Sequence, residues 1–404
     1  MTDQLTSKPA VTIPVPRACP YAPPAEYTQL LQDGPVHRVA TAGGGTAWAV
    51  TRHADVREML TDPHLSSDRS KPGFPSLIFG RPEISGGSRS MITMDPPEHG
   101  EARRAVLGEF TVRRIQAMAP RIQEIVDQRV DALLASPRPA DLVEVFALPV
   151  PSLVICELLG VPYADHALFQ EWSARTLNLR ISVAERAEAR RSLLSYVSEL
   201  IVRKTADPTD DLLGRQVRRQ QEQSGNVDVS GLTGLGMLLL IAGHETTTNM
   251  ISLGTLAFLE NPGLREDVVA DPSRTPGAVE ELLRWFSIVD GVVLRVALAD
   301  TEIGSVRIRA GEGVIALSST ANRDPEVFEE PDTIDFERGA RHHLAFGFGA
   351  HQCLGQNLAR VELQIVFDTL LRRVPGLRMA ADVSDISFKD DAFVYGAREL
   401  PVTW

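Results

Sequence analysis

The most informative stretch of the chain covers residues 346–355 and reads FGFGAHQCLG. Three glycines and a histidine surround Cys353, and the amphipathic segment NLARVELQIVFDTLLRR follows closely. Glycines let a backbone turn tightly and approach a flat ligand. The helix predicted from about Gly355 to Arg373 would bring its N-terminal dipole and amide donors near the sulfur, which favours thiolate over thiol. A thiolate in that setting is either a nucleophile or a metal ligand.

The residues alone leave the role of Cys353 open. A zinc site needs three or four nitrogen or sulfur ligands, and only His351 lies close by in the sequence. A nucleophilic cysteine needs a histidine base, which one of the eight other histidines could supply. A buried cysteine without chemistry is the third possibility, and it suits Cys156, in LVICELLGV, better. Cys19 is uninformative.

The composition limits the class of protein. The chain has 404 residues, a net charge of -12, 43% hydrophobic and 23% charged residues, as expected for a globular protein with a large core. An acidic balance argues against nucleic-acid binding. No apolar run reaches the roughly 18 residues of a membrane span, and the N-terminus has no secretory signal pattern. Three distant cysteines cannot form a disulfide scaffold, so a reducing, cytoplasmic location is expected.

Apolar residues at three- and four-residue spacing predict a mainly helical protein with a smaller strand-rich part. The clearest helical segments are 114–134, 185–204 and 235–259. Short strands are predicted around a glycine turn within 36–52, and again within 291–317. The breaks between segments are short, so residues 1–404 are predicted to form a single domain. Its first 25 or so residues are Pro-rich and predicted to be extended.

The pattern F-G-x-G-x-H-x-C-x-G around Cys353 resembles the haem-binding loop of the cytochrome P-450 family, and every motif position is matched. The resemblance implies the cytochrome P-450 fold, with haem b (iron protoporphyrin IX) between the long central helix and the helix after the cysteine loop. It makes Cys353 the proximal thiolate ligand of the iron. It also places Phe346 and Gly347 around the sulfur and His351 near a haem propionate. A thiolate ligand donates electron density to iron and favours O–O cleavage.

Residues 242–247, AGHETT, lie midway along the longest apolar segment. Polar groups buried there cost free energy unless they are paired or functional, and threonines can bond back to carbonyls of their own helix. The segment is similar to the A-G-x-[DE]-T-[TS] oxygen-activation motif of the family. On that resemblance Thr246 and Glu245 are catalytic: Thr246 steadies dioxygen as it is reduced, and Glu245 relays protons from solvent. Ala242 and Gly243 would leave room for the cofactor.

Glu281 and Arg284 match the E-x-x-R pattern of the family, with both charges on one face of a predicted helix. The spacing alone is weak support, since Glu101–Arg104 and Glu188–Arg191 share it. What selects Glu281 is its position between the threonine helix and the cysteine loop, as in the family. The resemblance adds Arg338 and implies a buried structural triad.

Two further segments supply candidate partners for the haem propionates. In DPPEHGEARR (95–104), His99 and Arg103 are four residues apart on one helix face. The family uses D-P-x-x-H-x-x-x-R for this purpose, and Arg295, in VVLRVALAD, occupies the position of another propionate-binding arginine. Cationic partners suit a half-buried dianion. The resemblance extends over nearly the whole chain and includes ANRDPEVF (321–328).

The resemblance is strongest to soluble, actinomycete-like haem-thiolate monooxygenases. It implies that one atom of O2 enters a C–H bond of a bulky apolar small molecule, either a natural product such as a polyketide or macrolide or a xenobiotic. No G-x-G-x-x-G follows a predicted strand, so electrons are expected from a separate ferredoxin served by an NAD(P)H ferredoxin reductase. A monomer is expected, with no nucleic-acid or membrane partner.

Candidate docking residues for that ferredoxin are Arg103, Arg104, Arg113, Arg114, Arg341 and Arg360. Two alternatives remain for the chain as a whole. One is a peroxide-using haem enzyme, and the other is a catalytically silent haem or carrier-protein binding module. A peroxide-using enzyme would be expected to lack the Glu245–Thr246 pair, so the pair counts against it. A binding module would also have little need for the pair, but retention of the pair does not exclude that alternative.

Overall fold

The structure is a computed structural model that describes residues 11–77, 90–177, 181–390, 392 and 394–404, without the side chains of residues 170, 174 and 177. The packing divides the chain into two compact units. The first unit comprises residues 1–100 and 280–353, and the second comprises residues 101–279 and 354–404. The single domain expected over residues 1–404 stays a prediction.

The described residues are mainly helical, as predicted. In chain order the helices are α1 (Ala25–Asp33), α2 (His53–Thr61), α3 (Glu98–Leu107), α4 (Val112–Ala135), α5 (Pro149–Leu159), α6 (His166–Leu177), α7 (Val183–Ala206), α8 (Leu212–Ser224), α9 (Val229–Glu260), α10 (Pro262–Ala270), α11 (Thr275–Phe286), α12 (Ser318–Ala321) and α13 (Gln356–Arg373). The long helices predicted from periodicity are therefore confirmed as α4, α7 and α9.

The strands are short and fall mostly in the first unit. In chain order they are β1 (Thr12–Ile13), β2 (Val36–Thr41), β3 (Thr46–Val50), β4 (Leu65–Ser66), β5 (Ala140–Asp141), β6 (Val293–Ala297), β7 (Thr301–Ile303), β8 (Val306–Ile308), β9 (Gly313–Ala316), β10 (Arg378–Met379) and β11 (Pro401–Thr403). Both strand-rich segments predicted from the sequence are confirmed.

A six-stranded sheet organises the first unit, in the order β1-β2-β3-β9-β6-β4. Strands β2 and β3 form the predicted hairpin, with Val36 opposite Val50 and Ala40 opposite Thr46. Strand β9 then pairs parallel to β3 and antiparallel to β6. This pairing places Arg295, on β6, opposite Val314 in the centre of the sheet.

One face of this sheet forms a core with α2. Val50 and Val314 from the strands and Val56 and Met59 from α2 are buried together. Leu344, which precedes the cysteine loop by two residues, belongs to the same cluster. The loop therefore starts from an apolar anchor in the core of the first unit.

The second unit is a helical assembly around α9. Helices α5, α7 and α13 pack against α9, and α13 also packs along α4. Residues 247–258 of α9 are buried on every side, as expected for a helix without a polar face. The three-stranded sheet β10-β11-β5 belongs to this unit.

The helix ends in the second unit follow local signals in the sequence. Ser182 and Glu185 form a capping box at the start of α7, and the Asp228 carboxylate accepts a hydrogen bond from the Gly231 N–H at the start of α9. Gly225, in the left-handed conformation, ends α8. These caps set where α7 and α9 begin and where α8 ends.

The expectation of an extended N-terminus is only partly within the described residues, because residues 1–10 lie outside them. Between residue 11 and the start of α1, the chain forms β1, which pairs parallel to β2. In the described part of the chain, no helix combines the length and apolar character needed to cross a bilayer.

Candidate active site

The cysteine loop folds back on itself just before α13. The Cys353 N–H donates a hydrogen bond to the Phe346 carbonyl at 2.8 Å, and the Gly347 N–H donates to the Leu344 carbonyl at 2.9 Å. Gly347 has φ 67°, a left-handed value that side chains disfavour. A Cβ atom built on Gly347 would meet nothing within 4 Å. Cys353, which carries the sulfur, is exposed.

Within the first unit, one histidine of this loop pairs with a histidine from outside it. The rings of His351 and His99 stack with centroids 4.0 Å apart. The His351 Nε2 is 3.1 Å from the Ser67 hydroxyl. Asp95 accepts hydrogen bonds from the Ser67 N–H at 2.7 Å and from the Ser66 hydroxyl. The structure therefore brings together two of the predicted propionate partners and fixes one of them through Ser67.

Arg295 is a buried cation in the same unit. Its guanidinium donates a hydrogen bond to the Leu294 carbonyl at 2.8 Å. Among the described residues no carboxylate forms an ion pair with it. Burial lowers the pKa of Arg295 to about 10, although Asp95 nearby acts in the opposite direction. A buried guanidinium of this kind fits an anionic group of a ligand.

Two other predicted cofactor residues, Arg103 and Phe346, are half-buried. Arg103 is half-buried on α3, one turn after His99. Phe346 is half-buried at the start of the cysteine loop, and its ring centroid lies 5.8 Å from that of His343.

The predicted structural triad is confirmed. Arg284 donates to both Glu281 oxygens, at 2.8 and 2.7 Å, and Arg338 donates to Glu281 at 3.2 Å. Glu281 and Arg284 are almost completely buried. Their spacing is the same as that of Glu101 and Arg104, where Arg104 is exposed, so burial rather than spacing distinguishes the triad.

The candidate catalytic residues of the second unit lie midway along α9. The Thr246 hydroxyl donates to the Ala242 carbonyl at 2.6 Å. Since the hydroxyl proton is engaged in this way, the Thr246 oxygen can accept a hydrogen bond from another group. Ala242 is exposed although it lies in the middle of an apolar helix. A Cβ atom on Gly243 would lie 2.7 Å from Ile155 Cδ1, so Gly243 lets α5 approach α9.

Glu245 has a cationic partner that the sequence motifs did not indicate. The Lys389 ammonium is 3.4 Å from a Glu245 oxygen and donates to the Asn249 side chain at 2.9 Å. Asn249 in turn donates to the Val394 carbonyl at 3.3 Å. Burial lowers the pKa of Lys389, while the Glu245 carboxylate opposes that effect. Helix α9 and the chain segment around Lys389 are therefore joined by a polar cluster at Glu245.

His244 completes this polar region. Its side chain is buried, and none of the described residues hydrogen-bonds to its Nδ1. Burial and, to a smaller extent, Lys389 lower the pKa of His244 to about 4. The imidazole is thus neutral near pH 7, and Lys389 is left as the cation facing Glu245.

These features fit a haem. Within the first unit, the buried Arg295 guanidinium and the stacked rings of His99 and His351 suit the propionates of a haem. The exposed surface at Ala242 suits an apolar ligand. Zinc, the alternative left open by the sequence, finds no support, since the described residues contain no group of three histidine, cysteine or acidic side chains placed to hold a metal ion.

Comparison with known proteins gives the same assignment. The family model described as cytochrome P450 matches residues 273–375. Pentalenic acid synthase from Streptomyces avermitilis is 48% identical over 405 residues, covering 100% of both chains. The chain belongs to the cytochrome P450 family. It is a P450 monooxygenase, an oxidoreductase whose cofactor is haem b.

Solved P450 structures confirm the fold. Cytochrome P450 MoxA from Nonomuraea recticatena is 53% identical, with a TM-score of 0.94 and 98% of each chain covered. The mycinamicin VIII hydroxylase MycCI from Micromonospora griseorubida, solved with mycinamicin VIII bound, is 39% identical with a TM-score of 0.90. The match covers 98% of this chain and 100% of the MycCI chain. The P450 fold predicted from the cysteine loop is therefore confirmed.

Sequence motifs missed four residues of this P450 that the structure places next to predicted ones: Ser67, Asp95, Asn249 and Lys389. Asp95 was within a quoted motif but had no role. Its partner Ser67 is 28 residues earlier, and no periodic pattern connects the two. Lys389 is 144 residues from Glu245, so only the fold brings the two charges together.

We expect Arg295→Met to weaken haem retention. Methionine keeps much of the apolar volume but removes the buried charge, and a hydrogen bond to a charged group contributes about 1.5–3 kcal/mol. Haem should therefore transfer to an acceptor apoprotein about ten times faster or more. The matched control is Arg307→Met, because Arg307 is exposed on β8. Equal transfer rates for the two variants would exclude Arg295 as a propionate partner.

Proposed function

We propose that this P450 inserts one oxygen atom of O2 into a C–H bond of a bulky, largely apolar natural product. The observation that carries the proposal is the arrangement on α9, where the Thr246 hydroxyl donates to Ala242 and Glu245 faces Lys389. A haem protein that only stored or carried a ligand would have no use for a paired acid and alcohol at this place. The same holds for an enzyme supplied with peroxide.

In this proposal Cys353 ligates the haem iron, and the bound haem supplies the activation of dioxygen. His99, Arg103, Arg295 and His351 hold the propionates. Phe346 and Gly347 would shape the loop around the sulfur, and Ala242 would belong to the helix surface that the cofactor meets. Gly243 would serve that surface indirectly, because its lack of a side chain lets α5 approach α9.

Glu245 supplies protons from solvent, and Thr246 holds a hydrogen-bonded group in place. Because the Thr246 proton is donated to the Ala242 carbonyl, the Thr246 oxygen acts as the hydrogen-bond acceptor at the reaction site. Glu245 is 21% exposed and can exchange protons with solvent. Lys389 opposite Glu245 offsets the cost of holding a charged carboxylate within the helix assembly.

The proposed substrate class rests on the relatives. MycCI binds mycinamicin VIII, and another relative is named for making pentalenic acid. The exposed apolar surface at Ala242 is compatible with such a ligand. A xenobiotic of similar size and polarity belongs to the same class.

Electrons come from a separate ferredoxin in this proposal, and the enzyme is a cytoplasmic monomer. Arg104 and Arg113 are exposed in the second unit and offer positive charge to an acidic partner. Arg114 is less available, because it faces Glu109 and Asp210 at 3.7 and 3.5 Å. Arg360 is half-buried and donates to the Gln356 side chain at 2.8 Å. Arg113 is therefore the better test residue.

The test of the reaction combines a carbon monoxide difference spectrum with NADH-driven turnover by a surrogate ferredoxin and reductase. We expect a thiolate-type band that Cys353→Ser abolishes, because a hydroxyl cannot replace thiolate donation to iron. Cys156→Ser should keep the band, since Cys156 is buried in α5. Product with peroxide alone and none with NADH would favour a peroxide-using enzyme. Haem binding without turnover of any member of an apolar natural-product library would favour a binding module.

Thr246→Ala should bind haem and substrate normally and lose coupling. Without an acceptor oxygen at this position, protons reach the dioxygen unproductively, and more of the NADH consumed should appear as peroxide. Thr248→Ala is the matched control, because the Thr248 hydroxyl donates to the His244 carbonyl at 2.8 Å in the same helix. The ratio of product to NADH decides the matter, and equal ratios for the two variants would remove Thr246 from the reaction.

Arg113→Glu should slow reduction by ferredoxin, and more so at low salt than at high salt. Charges attract over about 8–10 Å at physiological ionic strength, and salt weakens that attraction. Arg190→Glu makes the same charge change at an exposed position on α7. Stopped-flow reduction should separate the two variants, while dithionite reduction and substrate affinity stay unchanged. Equal slowing by both variants would indicate a general charge effect and place the docking site elsewhere.

A further inference from the structure

The segment ANRDPEVF (321–328) follows α12 and has no role in the proposed function. Its polar residues are nevertheless buried: Asn322 is 0% exposed, and Arg323 and Asp324 are 6% and 3% exposed. Buried polar side chains cost free energy unless they have partners, so each of the three must be accounted for. Arg323 and Asp324 bind neighbouring segments. Asn322 instead has partners both at the end of α11 and at the start of the cysteine loop.

On one side, Asn322 is bound to the end of α11. Its side-chain amide donates to the Ser287 hydroxyl at 2.7 Å, and that hydroxyl donates to the Arg284 carbonyl at 2.8 Å. Its main-chain carbonyl accepts a hydrogen bond from the Arg284 guanidinium at 2.8 Å. Asn322 is therefore fixed directly to the buried pair formed by Arg284 and Glu281.

On the other side, Asn322 holds the start of the cysteine loop. Its side-chain oxygen accepts a hydrogen bond from the Leu344 N–H at 2.7 Å. The Leu344 carbonyl then accepts from the Gly347 N–H, and the Phe346 carbonyl accepts from the Cys353 N–H at 2.8 Å. Two hydrogen bonds and the peptide bond between Phe346 and Gly347 thus connect Leu344, which Asn322 binds, to Cys353.

The far side of the loop depends on the same segment. The Asp324 carboxylate accepts a hydrogen bond from the His53 N–H at the start of α2, at 2.9 Å. At the other end of α2, a Cβ atom on Gly349 would lie 2.7 Å from the Leu60 carbonyl oxygen. The loop is therefore bounded by α2 and by the Asn322 contact, and residues 322–324 touch both supports.

We propose that Asn322 is a positioning residue for Cys353: it couples the cysteine loop to the buried Arg284–Glu281 pair and so preserves thiolate ligation of the haem iron. The proposal rests on the proposed function, because it concerns the ligand loop. Asn322 acts through Leu344 and the loop hydrogen bonds and touches neither haem nor substrate. Its amide is suited to this task because one side chain accepts from one segment and donates to another.

A general contribution to stability is a different property, and α12 offers a control for it. Thr320 is 1% exposed and its hydroxyl bonds to the Thr51 and Leu317 carbonyls, both at 2.8 Å. Thr320 therefore ties α12 to the residue after β3, and neither partner of its hydroxyl belongs to the cysteine loop. Thr320→Val removes these bonds with little change of volume, as Asn322→Leu does for the loop bonds.

The experiment follows loss of the thiolate-type carbon monoxide band in the reduced, haem-loaded protein under mild urea, together with thermal unfolding of the same samples. Asn322→Leu should increase the rate of band loss about tenfold, as expected when a buried N–H loses its acceptor. Asn322→Asp should have a smaller effect, because a carboxylate still accepts from the Leu344 N–H. Thr320→Val should lower the thermal midpoint and leave the rate of band loss near the wild-type value.

Two results would overturn the proposal. One is a wild-type rate of band loss in Asn322→Leu, and the other is an equal increase in Thr320→Val. If Asn322→Leu fails to fold, Asn322→Asp and Ser287→Ala decide, since Ser287→Ala removes only the hydroxyl that accepts from the Asn322 amide. The proposal then requires that at least one of these two variants increases the rate of band loss more than Thr320→Val does. Failure of the proposed function is recognised separately, by absence of the band in wild type or its presence in Cys353→Ser.

Discussion

The Arg284 guanidinium is completely buried, and Glu281 beside it is 1% exposed. Removing two charges from water costs several kcal/mol per ion, and only good geometry with every remaining donor bonded offsets that cost. Here the pair is bidentate, and the remaining N–H groups of Arg284 donate to the carbonyls of Asn322, Pro331 and Thr333. Those carbonyls belong to the chain that leads to the cysteine loop. Because the buried Arg284 guanidinium needs hydrogen-bond acceptors, it sets the path of that chain in the first unit.

In the second unit, buried polar side chains also need hydrogen-bond partners, but these partners come from other sources. Helix α9 is buried along most of its length, so each polar side chain in it needs a partner. The Thr246 and Thr248 hydroxyls bond to carbonyls of their own helix. Glu245 and Asn249 instead share Lys389, which the chain supplies from a distant segment. A charged, solvent-accessible carboxylate can thus lie next to a threonine in the middle of an apolar helix.

The proposed function divides the work between cofactor and protein. In that proposal the bound haem would carry the difficult chemistry, while the protein would contribute a thiolate, cationic partners for the propionates and a supply of protons. Of the groups in that proposal, His99 and Arg295 are buried, whereas Cys353 is exposed. Pentalenic acid synthase and MycCI, two relatives of the chain, are named for different natural products.

The sequence by itself determined the family and the long helices, because each is encoded by residues close together in the chain, and the same local motifs predict the ligand loop and the acid–alcohol pair. The start of the longest helix is predicted at residue 235, whereas α9 begins at Val229, next to the cap Asp228. The tertiary structure alone decided which equally spaced Glu–Arg pair is buried, that Ser67 holds His351, and that Lys389 faces Glu245. Ser67 and His351 are 284 residues apart, and Lys389 and Glu245 are 144 residues apart. The energy of these contacts depends on burial and on the approach of groups from different elements, and no local pattern in a sequence records either quantity.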